Sequence, residues 1–247
     1  MILTIAHKEF RSLFVIPSTW LILGALQFIF AWFFLARLDA FLQVQSQLAQ
    51  LANPPGATLA VAAPLFGTIA LVLMMLIPIF TMRLIAEERR NQTFTLLTSS
   101  PISDIHIVLG KFIGLMLFLL IIIASCIVMM LTLAAGTQLD TGLILTNVLG
   151  LVLLAASYVS LGLYISSLTA QPVVAAIGAL AIFFGLWLME ISAVINDNSW
   201  RALAPTSHFE SFNIGLLNSI DLMYFLLFCT AFLLLTVQRL HNNRIYS

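Results

Sequence analysis

Charge is what this sequence has least of. Its 247 residues include only 10 Lys+Arg and 10 Asp+Glu, 8% of the chain, where soluble domains carry roughly 25%. With 62% hydrophobic residues and a mean hydropathy of +1.10, such a chain cannot clothe one core in polar surface, which excludes a soluble globule. Net charge is zero, so no basic footprint for nucleic acid exists. The two cysteines, Cys126 and Cys229, each lie inside an apolar run; they exclude a disulfide framework or a zinc site and read as small buried residues. His-Glu-x-x-His, Gly-x-Ser-x-Gly and Gly-x-Gly-x-x-Gly are all missing. Gly110-Lys111 supplies the last Gly-Lys pair of a phosphate-cradling loop, but Ile105 stands where its first glycine belongs and Phe112 where its magnesium-binding hydroxyl belongs. The chain is therefore expected to bind no ATP by that route, and no cofactor or metal of its own.

What is present is length in apolar runs. Six runs of about 20 residues, enough to cross a ~30 Å hydrocarbon core, cover 16–36, 61–82, 112–135, 143–168, 173–194 and 222–238. Lipid offers no partner to exposed backbone groups, and the runs are too long and uniform for barrel strands, so all six read as helices of an all-α integral membrane protein. The first is too long for a cleaved signal and is expected to stay in the protein. Eight of the ten positive charges fall before the first run, between the second and third, or after the sixth. Both termini and the Arg83 to Lys111 segment are therefore expected to be cytoplasmic.

Between the spans the pattern changes. Ile2, Ile5, Phe10, Leu13 and Phe14 recur near helical spacing among His7, Lys8, Glu9 and Arg11, which predicts an N-terminal helix at the inner interface. Leu38, Phe41, Leu42, Leu48 and Leu51 predict a short outer helix, stopped by Asn53-Pro54-Pro55-Gly56. The mixed stretch from Ile195 to Ile220, with Trp200, Phe209 and Phe212, predicts outer helices before the sixth span. The one sizeable polar segment, Arg83 to Lys111, offers a charged cluster, an apolar stripe of Phe94, Leu96 and Leu97, and Ser100 as an N-cap with Pro101 at the first helical position. Function is expected to concentrate there. Inside the spans only Glu190 is clearly charged, near the outer boundary and within reach of Arg201 or His208; it is a candidate for the pathway or outer gate. Pro64 and Pro78 favour local bends in the second span.

The stretches PLFGTIALVLMMLIPIFTMRLIAEERR, LLTSSPISD and VLGKF, with SHFESFNIGLLNSIDLMYFLLFCTAFLLLTV near the C-terminus, resemble the membrane subunit of type 2 ATP-binding-cassette transporters, in the gliding-motility-associated subfamily. On that pattern Glu87 and Glu88 match the acidic pair before a cytoplasmic coupling helix. Arg89, Arg90, Thr93, Leu96, Leu97, Ser100 and Pro101 fall on the helix itself, and Gly110 and Lys111 on the start of the third span. Gln92 stands where the family usually has Gly, which disfavours an abrupt turn, and Thr95 stands where it has Glu, which removes a charged handle.

The resemblance implies an exporter permease in a bacterial cytoplasmic (inner) membrane. Two such chains, as a homodimer or with a relative, would form the pathway. Two copies of a cytoplasmic ABC ATPase, holding the ATP and Mg, would dock on the coupling helix, and an extracytoplasmic partner protein could join. Two other readings stand beside it: a force-transmitting or regulatory subunit without a transported substrate, and an intramembrane lipid-modifying enzyme. An enzyme would need His, Ser, Asp or Lys converging at one membrane depth, which the sequence does not display.

Overall fold

A computed structural model describes residues 1–48, 56–92, 103–133, 139–196 and 199–246, and among them every regular element is helical. Helix α1 (Ile2–Val15) is followed by α2 (Pro17–Leu48). Between them Ile16 is extended, at φ −80° and ψ 118°, because a proline disfavours helical backbone in the residue before it. Pro17 then supplies a preset first helical position. The chain continues with α3 (Ala57–Met82), a π-helical turn (Arg83–Glu87) and a last turn (Glu88–Arg90), then α4 (Asp104–Thr132), α5 (Thr141–Leu168) and α6 (Pro172–Asn196). A 3-10 turn (Ser199–Leu203), α7 (Pro205–Asn213) and α8 (Ser219–Tyr246) complete it.

Six helices are long and apolar enough to cross a membrane: α2, α3 with its extension, α4, α5, α6 and α8. They fall on the six apolar runs, but their ends differ. The separate outer helix expected from Leu38 onward is, as far as Leu48, a continuation of the first span. Nothing between Ala36 and Leu48 breaks a helix, and Gln43 Nε2 donates to Asp39 Oδ2 at 3.0 Å one turn away. Its 32 residues make about 48 Å of helix, well beyond a ~30 Å core. Leu51 and Asn53 to Pro55 lie outside the described residues. Likewise α4 begins at Asp104 rather than Phe112, with Ser103 at its N-cap position, and α8 overruns the apolar stretch at both ends.

The hub is α5, whose most apolar window is 67% buried against 17% for α2 and for α8. Its sequence explains the position. Gly150 lets α7 approach so closely that an added Cβ would lie 2.6 Å from Phe212 Cβ, and at Gly162 it would lie 2.5 Å from Thr81 Oγ1 of α3. Without a hydrophobic drive between helices in lipid, such close backbone approach is what holds spans together. The serines of α5 do not protrude as unmet polar groups: Ser157, Ser160 and Ser167 donate to the carbonyls of Leu153, Ser157 and Tyr164.

The N-terminal helix uses the same device. An added Cβ at Gly110 would lie 2.7 Å from Ile5, and one at Gly114 would lie 2.8 Å from Glu9 Cβ and 2.9 Å from the Ala6 carbonyl. Helix α1 thus packs lengthwise on the start of α4, with Phe14 against Phe118 at 5.5 Å between ring centroids. Gly114→Ala should therefore force α1 from its seat and cost about 1–3 kcal/mol, read as a lower unfolding midpoint in detergent. Gly24→Ala and Gly185→Ala, where nothing lies within 4 Å, should be neutral or slightly stabilising through helix propensity. Equal effects at all three glycines would contradict this seat.

Candidate functional site

Lys111 is 1% exposed, one turn below Gly114 on α4. Its ammonium lies 3.0 Å from Glu9 Oε1 of α1 and 2.7 Å from Glu88 Oε1 at the end of the second span. A buried cation is tolerated only with such counter-charges. Lys8 stands outside this group, 3.9 Å from each of the two carboxylates. An aromatic cluster flanks it: Phe14 packs on Phe10, Trp20 and Phe118, and Phe118 on Phe80. At the same end His241 of α8 approaches Asp104 at 3.4 Å. The N-terminal helix, both flanks of the polar segment and the C-terminal helix therefore share one end of the bundle, the end that carries eight of the ten positive charges.

Neither proline of the second span interrupts its helix, and Pro78 is buried while Pro64 is half-buried. The departure from α geometry comes after them, in the π turn at Arg83–Glu87. Such a turn displaces backbone partners, and Ser166 of α5 meets the displaced groups. Its Oγ accepts from Ala86 N at 3.0 Å and Ile85 N at 3.3 Å and donates to the Met82 carbonyl at 3.3 Å. The helix then ends with Asn91 N on the Glu87 carbonyl at 2.9 Å and Gln92 at φ +57°. The abrupt left-handed turn is thus made without the glycine whose absence disfavours it. The helix-terminating hydrogen bonds offset the side-chain strain there.

Of the expected docking residues, Glu87 and Arg90 are exposed, and Glu88 and Arg89 are half-buried. Glu88 is held by Lys111 rather than presented at the surface. Thr93, Phe94, Leu96, Leu97, Ser100 and Pro101 lie outside the described residues. Glu9 was not legible as a site residue, yet a signal existed: a lone Lys111 at the head of an apolar run requires an acid from elsewhere in the chain.

At the opposite end, Glu190 bonds neither Arg201 nor His208. It accepts from Thr206 Oγ1, while Arg201 pairs with Glu210. His208 places Nδ1 2.6 Å from Asp221 Oδ1 and Nε2 2.9 Å from the Ala202 carbonyl. The His208 ring stacks on Tyr224 at 3.9 Å between centroids, and Tyr224 donates to the Leu203 carbonyl at 2.7 Å. Asn147 Nδ2 donates to the Asn213 carbonyl at 3.2 Å, and Gly215, at φ +86°, turns the chain out of α7. Histidine, serine and aspartate do converge here, contrary to the sequence reading. They are not arranged as a nucleophile and base, since both ring nitrogens of His208 are engaged and Ser207 Oγ donates to backbone carbonyls.

Six spanning helices, an N-terminal helix braced on the third and capping helices before the sixth define an all-helical multi-pass membrane protein. A family model described as ABC-2 family transporter protein matches residues 3–239, and the chain belongs to that family. It is a permease subunit of an ABC transporter. No curated protein matches it.

Two outcomes follow from this geometry. Lys111→Met should strand two carboxylates and cost about 3 kcal/mol of stability, whereas Glu9→Gln/Glu88→Gln/Lys111→Met, with no charge left to pair, should recover most of the loss. Unfolding curves in one detergent check both, and a single variant within 1 kcal/mol of the parent protein would show the charges to be solvated. Gln92→Gly should relieve the left-handed strain against the added freedom of glycine, a net gain of about 0.5 kcal/mol. Slower amide exchange at Asn91 and Gln92 is the readout, and faster exchange is the contrary result.

Proposed function

We propose that this permease, of the gliding-motility-associated subfamily, lies in a bacterial inner membrane with both termini cytoplasmic and works as an ATP-driven exporter. Two copies of the chain, or one copy and a relative, form the pathway. Two cytoplasmic ATPase subunits, holding the ATP and Mg, dock on the segment from Glu87 to Pro101. An extracytoplasmic partner would meet the outer cluster around α7.

The observation that supports this reading is the ion group at Lys111. The proposed docking segment leaves the bundle just beyond Glu88 and returns just ahead of Lys111, so both of its flanks are tied to each other and, through Glu9, to α1. A push on that segment is delivered to three helices at once. Binding of ATP would then favour one of two arrangements of the membrane halves, as any ligand-driven switch requires. The excess of cations at that end supports its being cytoplasmic.

On this reading Phe94, Leu96 and Leu97 enter a groove on the ATPase, while Glu87 and Arg90 stand at the rim. Central apolar anchors carry more binding energy than rim charges, so Phe94→Ala should cost about 2 kcal/mol or more of association and uncouple hydrolysis. Arg90→Ala should mainly alter salt dependence. Pull-down and ATPase assays in nanodiscs measure both. Unchanged binding and coupling in Phe94→Ala, Leu96→Ala and Leu97→Ala alike would move the docking surface elsewhere. A cysteine at Thr95 labelled by an impermeant reagent from outside the cell would reverse the orientation.

A further inference from the structure

Helix α1 has two unlike faces. Ala6, Glu9 and Leu13 are buried against the bundle. On the opposite face Thr4, His7, Lys8, Arg11, Ser12 and Val15 line a shallow groove, and all six are exposed. They recur one helical turn apart, which places them on one stripe. The stripe carries Lys8 and Arg11 and no carboxylate. Acids and bases mix elsewhere at this end, so the separation is a property of this face.

Its depth is fixed by what α1 touches. Ile5 lies over Gly110, Glu9 over Gly114, and Phe14 on Phe118, so α1 runs beside the first half of α4. The 29 residues of α4 make about 43 Å of helix, which overruns a ~30 Å core. The stretch beside α1 therefore spans the level where hydrocarbon gives way to headgroups. Trp20 marks the same level: it is 59% exposed on the first turn of α2, with Nε1 bonded to the Phe14 carbonyl at 2.9 Å, the half-apolar, half-polar setting that tryptophan takes at membrane interfaces. Because the stripe is on the side of α1 away from the bundle, it faces sideways into that layer.

We propose that the stripe binds the headgroup phosphate of an anionic phospholipid, held by Lys8 and Arg11 with the hydroxyls of Thr4 and Ser12, and with the acyl chains lying along Val15 and α2. Charge complementarity selects this occupant. Lys8 is free to serve: its side chain is 66% exposed and its ammonium stands 3.9 Å from the nearest carboxylates. Each cation at such a surface is worth roughly fivefold in affinity for anionic lipid. The inference does not rest on the docking of an ATPase or on the direction of transport.

Replacing Trp32, Trp187 and Trp200 by Phe leaves Trp20 as the sole tryptophan, beside the stripe. In vesicles of phosphatidylcholine doped with brominated lipid, brominated phosphatidylglycerol should quench Trp20 at a several-fold lower mole fraction than brominated phosphatidylcholine does. Lys8→Gln/Arg11→Gln should abolish the difference, Lys8→Arg/Arg11→Lys should keep it, and Arg37→Gln at the other end should not matter. Native mass spectrometry of the unaltered chain, counting retained phosphatidylglycerol, checks the result without the tryptophan changes. Equal quenching by the two lipids, or a preference that survives Lys8→Gln/Arg11→Gln, overturns the proposal. So does a doubly substituted chain that retains phosphatidylglycerol but fails to assemble with its ATPase or a second copy, because the stripe would then be a protein interface.

Discussion

An ammonium group taken out of water must bring its counter-charges with it, and the inner end of this protein is arranged around that requirement. Lys111 is sealed beneath α1 at 1% exposure. The two carboxylates that make this tolerable come from residues more than a hundred positions before it and about twenty before it in the chain, Glu9 and Glu88. Neither could be in place unless α1 folded back on α4 and the second span ended at that level. Removing any one member leaves charge buried without compensation, so the three helix ends are bound to one another more tightly than their apolar contacts alone would require.

The close approach that brings Glu9 to Lys111 is a matter of what is missing from α4 rather than what is there. Gly110 and Gly114 remove the two side chains that would hold α1 off. Gly162 does the same for α3 against α5. Once backbones are this near, a short hydroxyl can reach across them, which is how Ser166 comes to meet the amides that the π turn turns away from their usual carbonyls. In lipid those amides would have no other partner. The irregular turn just before the polar segment therefore depends on a serine from another span, and the two are parts of one arrangement.

The six spans could be read from hydropathy alone because the length of a span is set by the bilayer and its composition by the absence of water. Their ends could not. Once a helix leaves the hydrocarbon, nothing stops it except a breaker, so α2 ran on through Arg37 and Asp39 to Leu48, and α8 on to Tyr246. Pairings were harder still. Glu190 had Arg201 and His208 within plausible reach, yet each of those found an acid nearer in space, Glu210 and Asp221. One-dimensional spacing cannot rank such competitors, because the choice is made by how α7 tilts onto Gly150. Gln92 shows the converse: the sequence argued against a turn that the helix-end hydrogen bonds impose regardless.

The two ends of the bundle are held by different means, and this bears on how it could move. At the outer end the ties are mostly local in sequence: Arg201 to Glu210, Thr206 to Glu190, His208 to Asp221, and Tyr224 to the Leu203 carbonyl, all joining residues within 21 positions of each other. They make a cap that can travel as one piece with the head of α8. At the inner end the ties cross from α1 to α4 and from the second span to α4, so α1, the end of that span and the start of α4 form a single block. A packed bundle yields at its weakest contacts and moves its strongest groups whole. The block at the Lys111 end would then act as the lever and the α7 cap as the load. The yielding surfaces would be those of α2 and α8, which bury least of themselves within the chain.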